Sequence, residues 1–118
     1  MRAFDTTPGS SVCRAFDLLG KRWTGLILAL LRDGPLRFTE LLHAVPGLSD
    51  RVMTERLREL AAAGLVQRNV DPGPPTAITY QLTDVGSAVG PVIDAVLEWA
   101  TVLPEPAAED STTRPALT

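Results

Sequence analysis

Only one cysteine and one histidine are available to bind a metal or drive catalysis in this chain. A lone Cys13 excludes an internal disulfide framework and a cysteine-built zinc site, so neither metal nor cofactor is expected. His43 has no cysteine or carboxylate cluster beside it, and Gly20, Gly25 and Gly34 are too scattered for a phosphate-cradling loop. An enzyme is therefore not expected. Long apolar runs are missing too: the longest, Leu26 to Leu31, is far too short to cross a bilayer, and no membrane partner is expected. No basic, apolar and small-residue segment opens the chain, which makes a cytoplasmic protein the default expectation. Between Arg68 and Arg114 there is no basic residue at all.

What is present is enough for one folded unit. With 118 residues, 45% of them apolar, the chain can build a single domain with a real core. Its formal net charge of −3 hides an uneven distribution. Residues 14–68 carry nine Lys/Arg against six Asp/Glu, a balance of +3, whereas residues 69–118 carry one against seven, a balance of −6. A partner meets a local surface, so the first half favours an anionic partner despite the acidic whole.

Periodicity gives the order of elements. Residues 1–9 lack a pattern and are expected to be a flexible N-terminus. From Ser11 to Leu19 apolar residues recur at helical spacing, closed by Gly20. "WTGLILALLRDG" is apolar nearly all round and reads as a buried helix ended by Gly34-Pro35. "RFTELLHAV", residues 37–45, reads as a short third helix stopped by Pro46-Gly47. Ser49 stands where a helix N-cap belongs, and a fourth helix is expected from Asp50 to about Ala63, ending at Gly64. Leu65–Val70 and Ile78–Leu82 read as strands joined by the stiff "DPGPPTA" loop. Thr83 can cap a last helix from Asp84 to about Val102, kinked or broken at Gly90-Pro91. Residues 104–118, acidic and Pro-rich, are expected to be a disordered tail, leaving 10–103 as the folded domain.

The fourth helix carries the functional signal. On a helical wheel Met53, Leu57, Leu60 and Ala61 share one face, while Arg51, Glu55 and Arg58 project opposite with Thr54 beside them. Alone, such a helix is a solvated polar face resting on a core. Its position after a short helix and a tight turn, and before a hairpin and a final helix, is the order of a winged helix-turn-helix. In that design this helix enters the major groove of DNA. The expected class is thus mainly α with a small β-hairpin, a winged helix-turn-helix. Arg51 and Arg58 can meet phosphate or guanine, Thr54 a thymine methyl or a phosphate, and Glu55 a cytosine or a neighbouring arginine. Arg68, the last cation before the acidic half, is counted with this set. The stripe Val89, Ile93 and Val96 of the last helix, with Trp99 alongside, is expected to form a dimer face, because a lone small domain has little reason to expose it.

The stretch from "FDLLGKRW" through "DGPLRF", "GLS", "RLREL" and "GLV" to "YQLTDVG" resembles the HxlR-type family of bacterial winged helix-turn-helix transcriptional regulators, over roughly residues 10–102. The resemblance implies a homodimer that binds a palindromic operator on double-stranded DNA, expected to act as a repressor, with extra N- and C-terminal dimerisation helices that add Val12 and Phe16 of the first helix to the dimer face. It also implies that Arg37, Ser49, Arg51, Thr54 and Arg58 occupy DNA-facing positions. Members commonly carry a Cys-Pro pair, in some a sensor of oxidants or electrophiles, where this chain has Ser10-Ser11. A direct transfer of redox sensing therefore fails. Cys13, one turn further on beside Arg14, is kept as a redox candidate against the commoner packing role. Members also usually have a Lys or Arg before the second strand, where this chain has Ala77. Any wing contact must then come from backbone N–H groups, Thr76 or Thr79. That bare wing keeps an alternative open, a winged-helix interaction module that does not read DNA. A small-molecule effector, with Phe16, Trp23 and Trp99 as candidate walls, is a third possibility.

Overall fold

The structure, a computed structural model, describes residues 3–106, so most of the tail at 104–118 lies outside the described residues. The first turn seen is local: the Asp5 carboxylate accepts the Thr7 N–H and hydroxyl, which hold its carboxyl below the usual carboxylate range. Ser10 then caps α1 (Ser11–Gly20), accepting the Cys13 N–H at 3.2 Å while donating to the Asp5 carbonyl at 2.8 Å. No residue of α1 is fully buried.

Trp23 separates α1 from α2 (Thr24–Leu30) with a left-handed backbone, φ 80°. The helix expected to start at the tryptophan therefore starts one residue later. Ile27, Leu28 and Leu31 of α2 and the 3-10 turn after it are almost wholly buried, while Leu26 is exposed. Around them pack Leu41 of α3 (Phe38–Ala44) and Met53, Leu57 and Leu60 of α4 (Asp50–Ala62), each at most 2% exposed. Helix α4 begins at Ser49, whose hydroxyl accepts the Val52 N–H at 3.2 Å. It ends in a Schellman turn: Leu65 N–H reaches the Leu60 carbonyl at 2.9 Å and Gly64 N–H the Ala61 carbonyl at 3.0 Å, with Gly64 at φ 81°.

The sheet has one strand more than the sequence suggests. Leu36–Arg37 form β1, which pairs antiparallel with β3 (Ala77–Leu82), itself paired with β2 (Val66–Asp71), in the order β1-β3-β2. Leu36 lies opposite Tyr80 and Arg37 opposite Thr79. Arg37 is therefore a strand residue at the mouth of α3, and its N–H is taken by the Glu40 carboxylate at 2.7 Å. Two residues are too few for alternation to register.

The hairpin base is locked to α4 by the Thr83-x-x-Gly86 segment. Thr83 donates its hydroxyl to the Gly64 carbonyl at 2.6 Å, accepts the Gly86 N–H at 3.1 Å, and donates its own N–H to the Leu65 carbonyl at 3.0 Å. The last helix is broken, as the Gly90-Pro91 pair suggests, into α5 (Asp84–Ser87) and α6 (Gly90–Ala100). The apolar stripe of α6 is also divided. Ile93, expected at a dimer face, is only 4% exposed and belongs to the protomer's own core, and Val89 is half-buried against that core. Val92, Val96, Leu97 and Trp99 remain exposed on the outer side.

Candidate nucleic-acid interface

Burial of Met53, Leu57 and Leu60 fixes the rotation of α4, and the opposite side follows from the helix geometry. Arg51 extends into solvent with 86% of its side chain exposed, held only loosely by Glu55 at 3.8 Å. Arg58, one further turn along, is exposed, and among the described residues no ion pair engages it. The Thr54 hydroxyl donates to the Asp50 carbonyl at 2.8 Å. With its proton spent there, Thr54 offers its methyl group and an oxygen lone pair to whatever docks. Asp50, Arg51, Thr54, Glu55 and Arg58 together line one shallow open depression.

Ser49 acts first as the cap of α4; its own hydroxyl proton stays free for an anionic oxygen. The remaining arginine of α4 belongs to a different job. Arg56 turns back, donating from Nε to the Arg22 carbonyl at 2.9 Å and pairing with Glu59 at 3.4 Å. Glu59 also receives Lys21 at 2.8 Å, and this contact, with Arg56 behind it, keeps the Glu59 carboxyl below its usual range. These bonds, with the Arg22 guanidinium stacked 4.5 Å over the Trp23 ring, tie the turn between α1 and α2 to the back of α4.

Arg68 is exposed on β2 opposite Tyr80 of β3. A cleft of about 390 Å³ between α4 and the sheet is lined by Thr54, Arg58, Arg68 and Tyr80, over Leu57 and Ala61. Two guanidinium groups beside a phenol suit a phosphate oxygen approaching between helix and hairpin. Tyr80 is the member that sequence reasoning missed; its place on β3 directly across from Arg68 was the available signal. Arg37 is exposed at the start of α3. At the wing, the Thr76 hydroxyl donates to the Pro72 carbonyl at 3.1 Å and Asp71 takes the Gly73 N–H at 3.2 Å. The hairpin tip is thus organised by its own bonds and adds an acid rather than a base.

The remaining candidates are dispersed. Cys13 is half-buried in the first turn of α1, and His43 is exposed on the last turn of α3. Phe16 and Trp99 are 68% and 61% exposed and Trp23 is half-buried; none of them lines the cavity of about 370 Å³ between α1 and α4, which Leu18, Lys21, Thr24, Glu59 and Leu60 help to wall. Among the described residues no group of His, Cys, Asp and Glu could hold a metal ion, and no helix is long and apolar enough to cross a membrane.

The sequence and fold are similar to those of known proteins. The model of the HxlR-like helix-turn-helix family matches residues 18–107. The chain is 47% identical over 88 residues to the uncharacterized HTH-type transcriptional regulator YvaP of Bacillus subtilis, covering 75% of this chain and 82% of that one. It is 41% identical over 102 residues to the HTH-type transcriptional regulator YodB of the same organism, covering 83% and 91%. The structure of reduced YodB superposes with a TM-score of 0.70 at 42% identity over 80% of this chain and 92% of that one. The redox regulator HypR in its oxidized form superposes with a TM-score of 0.77 at 31% identity over 82% and 100%.

Proposed function

Since the chain belongs to the HxlR-like helix-turn-helix family, whose members matched here are transcriptional regulators, we propose that it binds a palindromic operator as a homodimer and represses by occupying it. The observation that carries the reading is the division of α4: Met53, Leu57 and Leu60 are sealed in the core while Arg51, Thr54 and Arg58 stand together outside. Phosphate contacts come from Arg37, Ser49, Arg58 and Arg68, and base reading from Arg51, Thr54 and the first turns of α4, with Glu55 steering Arg51. A two-fold dimer presents the same surface twice, so its half-sites are inverted copies about 34–36 Å apart or a multiple of that. Repression fits this reading because occupying an operator is by itself enough to block a promoter.

Substitutions on the two sides of α4 separate reading from anchoring. Arg51→Ala and Arg58→Ala should leave the fold intact and weaken specific binding by about 1–3 kcal/mol where a base is read. Where only a phosphate is touched, the loss should be equal on all sequences and the salt slope should fall by about one unit. Leu57→Ala should instead cost about 2–5 kcal/mol of stability by opening a cavity. Thermal unfolding and DNA titration on the same variants decide it. Arginine variants that bind operator like the wild type would make this side of α4 a solvated face, whereas a wild type without salt-dependent affinity for duplex DNA would favour an interaction module over a DNA reader, in keeping with the cation-free hairpin tip.

Cys13 belongs to packing in this reading. It is half-buried, and Ser10-Ser11 occupy the place where the resemblance to the family implies a Cys-Pro pair. Cys13→Ser should leave operator affinity and its response to diamide unchanged. Release of DNA by oxidised wild type but not by Cys13→Ser would make the thiol a sensor.

A further inference from the structure

Helix α6 is joined to the reading head by few contacts, and their geometry is specific. Ile93 inserts into the core as its apolar anchor. On the same side Gly90 and Asp94, one turn apart, receive Arg32 from the 3-10 turn that follows α2. The guanidinium passes over Gly90, where an added Cβ would sit 3.5 Å from Nη2, and closes on the Asp94 carboxylate at two points, Nη1–Oδ1 at 2.6 Å and Nη2–Oδ2 at 3.3 Å. That hydrogen-bonded pairing holds the Asp94 carboxyl below its usual range. The residue after next to Arg32 is Gly34, and two further on β1 begins, so the arginine sits at the entrance to the β1–α3 unit that precedes the recognition helix.

We propose that the Arg32–Asp94 pair is a positioning device that sets the angle between α6 and the reading head, and through it the half-site spacing the dimer accepts. The proposal rests on the dimer reading above. The pair is open to water, with 31% and 65% of its side chains exposed, and such pairs add little to stability. Its geometry does what the apolar contacts of Val89 and Ile93 cannot: non-directional packing permits a helix to rock, whereas a two-point planar contact opposes rocking. The needed precision is small. A tilt of about 10° moves a point about 20 Å away by about 3.5 Å, which is the rise of one base pair. Each protomer contributes its own tilt. An α6 free to rock would therefore let the two recognition helices accept neighbouring spacings.

The test is a competition among operators whose half-sites differ by one base pair in separation, run on Arg32→Ala, Asp94→Ala and the swap Arg32→Asp/Asp94→Arg. Wild type should prefer one spacing by about tenfold or more, because simultaneous engagement is lost when geometry forbids it. Both single variants should flatten that preference to about twofold while keeping a dimer and wild-type affinity for an isolated half-site. The swap should restore it. The single variants change the protein's charge in opposite directions, so a shared loss of discrimination is not an electrostatic effect on DNA. Unchanged discrimination in both single variants overturns the proposal while leaving the dimer reading intact. A dimeric wild type indifferent to spacing also overturns the proposal alone, whereas a monomeric wild type removes the dimer reading and this inference with it.

Discussion

Gly86→Ala should lower the melting temperature sharply, although the substitution adds one methyl group to a short helix. A Cβ built on Gly86 would lie 2.0 Å from the Leu65 carbonyl oxygen and 3.0 Å from its carbon. Neither atom can step aside cheaply. The Leu65 carbonyl accepts the Thr83 N–H at 3.0 Å, and the Leu65 N–H closes the Schellman turn of α4 at 2.9 Å. Ordinary overpacking against mobile side chains costs about 1–3 kcal/mol. Here the obstacle is backbone held at both ends, so about 4 kcal/mol or more is expected, a large share of the about 5–15 kcal/mol that keeps a domain folded. Gly25→Ala is the matched control. Gly25 lies in α2 with nothing within 4 Å of its would-be Cβ and without a positive φ, so alanine should be neutral or stabilising by about 0.5–1 kcal/mol. Circular dichroism melts of both variants measure the contrast. A Gly86→Ala protein that melts like the wild type would mean that α5 does not press on Leu65 in solution.

The same junction shows how far the sequence speaks. "LTDVG" is visible as a helix start, with Thr83 as cap, because capping is a local rule carried by residue type and spacing. That the Thr83 hydroxyl also reaches back to Gly64, and that Gly86 is the price of this close approach, depends on two segments separated by the whole hairpin. Order, caps and the inward side of α4 were legible for the same local reason: Met53, Leu57 and Leu60 repeat at helical spacing and are buried. Arg56 shows the limit. Its residue type matches Arg51 and Arg58, yet it bonds to Arg22 and Glu59, since a guanidinium follows whichever carbonyl or carboxylate the fold brings near. Ile93 shows it again. Periodicity finds an apolar stripe but does not divide it between a protomer's own core and a partner, and α6 uses Ile93 for the first while Val96 and Trp99 stay outside.

That division makes the dimer separable from the fold. Val96 is 46% exposed and touches solvent where Ile93 touches core, so Val96→Asp places a charge on the outer face without burying it in the protomer. Val92, Leu97, Trp99, Val102 and Leu103 are exposed beside it, and Phe16 is exposed on α1. A carboxylate at the centre of two such faces brought together would be desolvated and set against its own copy. Val96→Asp should therefore yield a folded monomer by sedimentation, with the core of α2 and α4 unaltered. Its loss in operator affinity should far exceed that of any one arginine, because the second half-site no longer engages as an intramolecular event. Linked binding of that kind is worth about 10²–10⁴ in affinity. Affinity for a single half-site should match that of wild-type protein on the same fragment, and the salt dependence on the full operator should drop to about half, following the number of phosphates neutralised. If Val96→Asp proves insoluble, Trp99→Lys places the opposite charge on the same face and carries the same expectations. A dimer that survives both substitutions and still grips the operator would put the self-association surface elsewhere. A wild-type monomer binding a palindrome tightly would mean that no such surface is needed.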